Sequence, residues 1–222
     1  MGKMFSDELI LKLRKDPVVA VLVIDDAEDA VPLAKALLRG GTSVMELTLR
    51  TPTAFTALDR IRAEVPEMLA GVGTVLNTEQ VRTAKERGAA FGVAPGFNSA
   101  VVNKAKELSL PFAPGVMTPS EIETAYALGC SVMKLYPAEL SGGVNYLKNI
   151  NAPYAHLNID FIPLGGLTLE NLSSYLECPF VLAVGGSWLA PRKLIQDKAW
   201  DEISRNAEKA AEVVRKTRGT NG

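Results

Sequence analysis

Eight short apolar runs recur along the chain, each followed by a longer amphipathic stretch, and this alternation constrains the fold more than any other feature. The runs are Val18–Ile24, Val44–Leu49, Leu69–Val75, Phe91–Ala94, Phe112–Val116, Val132–Tyr136, His156–Leu164 and Val181–Val184. They are rich in Val, Leu and Phe and end in Gly, Pro or Thr, the pattern of strands buried on both faces. Between them, Asp26–Leu38 carries Ala30, Leu33, Ala34, Leu37 and Leu38 at helical spacing and is closed by Gly40-Gly41. Helical patterns also cover Thr53–Val65, Thr78–Arg87, Asn98–Leu108, Thr118–Leu128, Val144–Ile150, Thr168–Leu176 and Lys198–Lys216. A further helix, Ser6–Arg14, precedes the first strand. Eight strand–helix units at a repeat of roughly 20 to 25 residues predict an α/β fold, a (β/α)8 TIM barrel with an extra N-terminal helix. An open doubly wound sheet is the alternative, but its G-x-G-x-x-G turn is missing. No linker divides the 222 residues, which read as one barrel domain over 1–222.

Composition narrows the function classes. A net charge of -1 does not suggest nucleic acid or an anionic membrane as the main partner. No apolar run approaches the roughly 18 residues of a membrane helix, and no apolar leader follows the N-terminus. Gly2 and Ser6 match the loose myristoylation pattern, without a polybasic patch to support it. Cys130 and Cys178 lack metal-site or redox-motif spacing, which suits a reduced, cytoplasmic protein. With one histidine, His156, read as structural or exposed at the far end of the seventh strand, no metal site is expected.

Strand parity then locates the polar residues. In Val44–Arg50, Glu46, Thr48 and Arg50 share one face, and Met45, Leu47 and Leu49 the other. A carboxylate and a guanidinium are thus expected inside the barrel near its C-terminal end, where barrel enzymes place their chemistry. In Val132–Tyr136, Lys134 and Tyr136 share a face. A lysine in an apolar strand is costly unless paired or neutral. Desolvation and a cationic neighbour, a place Arg50 could fill, both favour the neutral amine that attacks a ketone. Taken singly, Lys134 also fits a rim lysine reaching water, and Glu46 with Arg50 a structural ion pair.

Glycines mark the strand ends. Gly71-Val72-Gly73-Thr74 ends the third, where glycine allows a ligand close to the backbone and Thr74 offers a hydroxyl. Ala94-Pro95-Gly96 ends the fourth and Ala113-Pro114-Gly115 lies in the fifth, both readable as turn chemistry. Gly165-Gly166 ends the seventh and Gly185-Gly186-Ser187 the eighth. Paired glycines there match the usual barrel phosphate site of backbone N–H groups and a helix N-terminus. Trp188 and Trp200 read as core or interface residues.

In this order and spacing, Glu46-Leu47-Thr48-Leu49-Arg50, Gly71–Val75, Ala94–Gly96, Lys134-Leu135-Tyr136-Pro137-Ala138-Glu139, Pro163–Gly166 and Val184–Trp188 resemble the 2-keto-3-deoxy-6-phosphogluconate (KDPG) and 4-hydroxy-2-oxoglutarate (KHG) aldolase family. The resemblance covers almost the whole chain. It implies a class I lyase without metal or cofactor, acting on a small 2-keto acid, and a homotrimer. By the family's pattern Lys134 forms an imine with the C2 ketone and Glu46 moves protons. Arg50 and Thr74 hold the substrate carboxylate, and Gly165, Gly166, Gly186 and Ser187 surround the phosphate. Pro95, Tyr136 and Leu164 line the pocket, Tyr136 standing where the family often has Phe. The implied reactions cleave KDPG to pyruvate and glyceraldehyde 3-phosphate, or KHG to pyruvate and glyoxylate. Leu164 departs from the pattern: many gluconate-type members carry Thr there, which leaves the galactonate epimer open. Another phosphate-binding barrel enzyme and a non-catalytic phosphosugar-binding barrel are the competing readings.

Overall fold

The computed structural model describes residues 4–219. Helix α1 (Asp7–Lys15) begins at Ser6, whose hydroxyl accepts from the Leu9 N–H at 3.2 Å, with acidic residues in its first turn and basic ones in its last. Ser6 therefore spends its side chain on a helix cap, while Gly2 of the acylation pattern lies outside the described residues.

The strands are β1 (Val18–Leu22), β2 (Val44–Thr48), β3 (Leu69–Gly73), β4 (Gly92–Val93), β5 (Phe112–Ala113), β6 (Gly115–Val116), β7 (Val132–Leu135), β8 (Asp160–Pro163) and β9 (Val184–Gly186). They form two parallel sheets, β5-β4-β3-β2-β1-β9 and β6-β7-β8. β5 and β6 are halves of one stave, parted at Pro114, whose missing N–H interrupts the ladder. Each half pairs with a different neighbour, so this stave belongs to both sheets. The other seam is joined by the parallel bridges Phe161↔Val181 and Leu164↔Gly185. The result is a closed eight-stave barrel.

The side chains divide as period-two alternation requires. Val19, Val44, Val93, Val132, Ile162 and Leu182 pack in one cluster, the barrel interior, closed from below by Phe5, Leu9 and Leu13 of the N-terminal segment. Met45, Leu47, Met133 and Leu135 pack in a second cluster against the helices. Glu46 and Lys134 lie two residues beyond Val44 and Val132, so the same parity lifts them into the next layer, above an apolar floor.

Around the barrel run α2 (Ala30–Arg39), α3 (Ala54–Glu64), α4 (Thr78–Glu86), α5 (Ser99–Glu107), α6 (Pro119–Ala127), α7 (Gly143–Asn151), α8 (Leu172–Leu176), α9 (Arg192–Gln196) and α10 (Trp200–Arg218). α6 opens on a capping box between Thr118 and Glu121 with Pro119 in its first turn. Several boundaries differ from the sequence reading. His156 belongs to a 3-10 segment, Ala152–Leu157, which ends at left-handed Asn158, so the seventh stave starts only at Asp160. The eighth stave is Val184–Gly186, because its partners are Val18–Ala20 of β1. The seventh helix is reduced to Leu172–Leu176, and α9 was not foreseen. Trp188 and Trp200 are partly buried against the outer core.

Candidate active site

At the C-terminal ends of the staves lies a cavity of about 360 Å³. Every site residue singled out in the sequence lines it: Glu46, Arg50, Thr74, Pro95, Lys134, Tyr136, Leu164, Gly165, Gly166, Gly186 and Ser187. Gly185, the first of the paired glycines on the eighth stave, lines it too, as do Val21, Thr48 and Leu167, to which the sequence reading gives no site role.

Lys134 and Glu46 are the centre. Both are buried, at 5% and 2% exposure, and Nζ lies 3.5 Å from Oε1. Lys134 is the only buried lysine or arginine among the described residues. Its ammonium position is 5.5 Å from the centre of the Tyr136 ring, which stands over the mouth, 42% exposed. A buried ion pair is weak evidence for stability, because desolvating two charges offsets their attraction. Its place in a water-accessible cavity points to chemistry instead.

Room for the Glu46 carboxylate comes from Gly73, the cross-strand neighbour of Thr48. A Cβ on Gly73 would lie 1.7 Å from Oε1 and 2.3 Å from Cδ of Glu46. The missing side chain of Gly73 thus serves a protein group, where the sequence alone suggested ligand approach. Gly71 likewise yields its space to the Phe91 ring.

Arg50 corrects the parity argument. β2 ends at Thr48, and Arg50 sits in the following turn, exposed on the rim. It still lines the cavity because the turn is pinned. The Arg50 N–H donates to the Thr48 carbonyl at 2.7 Å, and Nε to Thr48 Oγ1 at 3.2 Å. Thr48 Oγ1 in turn donates to the Leu22 carbonyl at 2.8 Å. Thr51 and Thr53 both donate to the Ile24 carbonyl at 2.7 Å, tying the turn to the end of β1. Thr48 is therefore a support for Arg50 that parity located but to which it gave no role.

Thr74 holds φ 59°, a left-handed conformation costly for a β-branched residue and common at ligand sites. Gly165 and Gly166 also have positive φ, 96° and 82°. Their carbonyls accept from the Glu139 N–H at 3.0 Å and from Asn171 Nδ2 at 3.5 Å. Among the described residues the Gly166 N–H has no protein acceptor. Such a turn offers donors to an anion. The helix after it, α8, starts only at Leu172, so these donors belong to the loop and not to a helix end. On the neighbouring stave Gly186 ends β9 and Ser187 follows it, and Leu164 packs its side chain against Gly185.

The rim is braced between the first and eighth staves. Arg192 grips Asp25 with two guanidinium nitrogens, Nε at 2.8 Å, and Gln196 adds a third bond at 2.9 Å. The Arg192 hydrogen bond, then that of Gln196, lowers the Asp25 carboxyl to about 2.

The family model described as KDPG and KHG aldolase matches residues 9–206. A protein of Haemophilus influenzae named 2-dehydro-3-deoxy-phosphogluconate aldolase is 42% identical over 210 residues, 95% of this chain and 98% of its own. The KHG/KDPG aldolase of Escherichia coli is 40% identical, over 90% of this chain and 93% of its own. Among solved structures, a KDPG aldolase from Legionella pneumophila aligns with a TM-score of 0.87 at 34% identity, covering 93% of this chain and 98% of that one. Its crystals hold pyruvate captured at low pH as a covalent carbinolamine intermediate.

Proposed function

Since the chain belongs to the KDPG and KHG aldolase family, we propose that its cavity cleaves 2-keto-3-deoxy-6-phosphogluconate to pyruvate and glyceraldehyde 3-phosphate through an imine on Lys134. The enzyme is a class I aldolase, a carbon–carbon lyase. The observation that carries the assignment of roles is the buried Lys134–Glu46 pair facing the cavity.

The neutral amine of Lys134 attacks the C2 ketone, giving a carbinolamine. Glu46, 3.5 Å away, takes the ammonium proton and returns one to the carbinolamine hydroxyl, which leaves as water. The resulting iminium is an electron sink. Removal of the C4 hydroxyl proton by Glu46 lets the C3–C4 bond break, its electron pair passing into the iminium to form an enamine while the aldehyde departs. Protonation at C3 and addition of water release pyruvate and restore the lysine. Arg50 and Thr74 hold the carboxylate end, Gly165, Gly166, Gly186 and Ser187 surround the phosphate, and Pro95, Tyr136 and Leu164 line the remaining wall.

Leu164 supports a second substrate. Its buried side chain brings hydrocarbon where a hydroxyl would read the C4 configuration, so discrimination there is weak. The enzyme on this reading also cleaves 4-hydroxy-2-oxoglutarate to pyruvate and glyoxylate and accepts the galactonate epimer of KDPG. It works as a homotrimer, as membership of the family implies, and in the cytoplasm, a location that suits its two unpaired, buried thiols.

Pyruvate release measured on the three substrates tests the specificity. Borohydride with pyruvate should fix a stable adduct on Lys134, and Lys134→Ala should lose both the adduct and turnover. An adduct on another lysine, or turnover in Lys134→Ala, would overturn the reading.

A further inference from the structure

The loop that leaves the reacting lysine's stave also builds the glycine turn of the next one. The Ala138 N–H donates to the Leu164 carbonyl at 2.7 Å and the Glu139 N–H to the Gly165 carbonyl at 3.0 Å. The stem of Glu139 lies flat on Gly166: a Cβ there would be 2.7 Å from Glu139 Cβ and 3.1 Å from Cγ. Its carboxylate does not line the cavity and accepts a hydrogen bond from the Tyr175 hydroxyl. Tyr175, on α8, is fully buried, and burial together with Glu139 raises its phenol above the usual range. A half-buried carboxylate beside an anion-binding turn would by itself oppose the anion. A fixed tyrosine donor anchors that carboxylate while leaving its stem and backbone against the turn.

We propose that Glu139 and Tyr175 are positioning residues that hold the Gly165–Gly166 turn open to the substrate phosphate. The inference rests on the phosphate role proposed above for that turn. It places the support for phosphate recognition in the same chain segment as the imine lysine, so one loop serves both ends of the substrate.

Tyr175→Phe keeps the ring and removes one hydrogen bond to a charged group. The KM for the phosphorylated substrate should rise about tenfold with kcat within about twofold. Inhibition by inorganic phosphate should weaken by the same factor. Turnover of unphosphorylated 4-hydroxy-2-oxoglutarate and borohydride trapping of pyruvate on Lys134 should stay at the wild-type level. Glu139→Ala should reproduce the loss, and Glu139→Gln, which keeps the stem and an acceptor oxygen, should restore it; these two decide the matter if Tyr175→Phe does not fold. Equal losses on both substrates, or none on either, would overturn the brace. A wild-type enzyme indifferent to inorganic phosphate and to the substrate's phosphoryl group would instead remove the phosphate reading on which the brace rests. Phosphate inhibition that is present in wild type and unchanged in Tyr175→Phe and Glu139→Ala would remove the brace alone.

Discussion

One methyl group added at Gly73, which does not itself line the cavity, should disable the enzyme by displacing the Glu46 carboxylate. The Cβ of Gly73→Ala would lie 1.7 Å from Glu46 Oε1, 2.3 Å from Cδ and 2.5 Å from Cγ. Non-bonded heavy atoms rest about 3.5 Å apart, so the carboxyl must retreat by about 1.5 to 2 Å. From its present 3.5 Å, that takes Oε1 out of proton-transfer reach of Lys134 Nζ. Positioned acid–base groups contribute about 10²- to 10⁴-fold, so kcat should fall by that factor, about 2.7 to 5.4 kcal/mol of barrier. Overpacking should also remove about 1 to 3 kcal/mol of stability. The assay is pyruvate release coupled to lactate dehydrogenase, run beside urea denaturation. Glu46→Ala should lose as much kcat as Gly73→Ala. The double variant should lose no more, and it should regain stability because the methyl fills the vacated carboxylate volume. A Gly73→Ala enzyme with kcat within threefold of wild type and an unmoved denaturation midpoint would refute the reasoning.

Two further predictions concern titration. Asp25 is lowered to about 2 by Arg192 and Gln196, against about 3.9 in an unfolded chain. A depressed folded value gives stability that is present above the unfolded value and lost as pH falls toward the folded one. The stability gap between wild type and Asp25→Asn should therefore close between about pH 4 and 2, read from urea midpoints; a gap that widens on acidification contradicts the clamp. Burial pushes the Cys130 thiol up to about 11. Iodoacetamide at pH 8 should leave Cys130 unmodified in the native enzyme and alkylate it in urea, and native labelling at that residue would contradict its burial.

Much of this was legible because barrel staves obey a period of two. Val44 with Glu46 and Val132 with Lys134 were separable from Met45, Leu47, Met133 and Leu135 by counting alone, and the packing clusters divide the same way. Counting failed where the strand stopped. Arg50 lies past the end of β2, and its aim depends on hydrogen bonds to Thr48 that parity does not encode. The seventh and eighth staves were misplaced by a few residues because apolar content does not report partners. His156 and Leu157 are held in a 3-10 turn, whereas Gly185 and Gly186, without apolar side chains, are paired to β1. The roles of Gly73 and of the Glu139–Tyr175 pair were out of reach altogether. Each depends on a through-space contact between segments far apart in the sequence.

The division of the barrel into two sheets bears on when the enzyme can work. Glu46 stands in the six-stranded sheet and Lys134 in the three-stranded one. No ladder hydrogen bond fixes their separation directly; it is set by the ring being shut at the Pro114 stave and at the two bridges beside β9. On the proposed mechanism, proton exchange between the two residues gauges ring closure. A fluctuation that parts either seam should extinguish the chemistry while both sheets remain intact, so catalytic competence should be lost with the first opening of the ring and not with the melting of its strands.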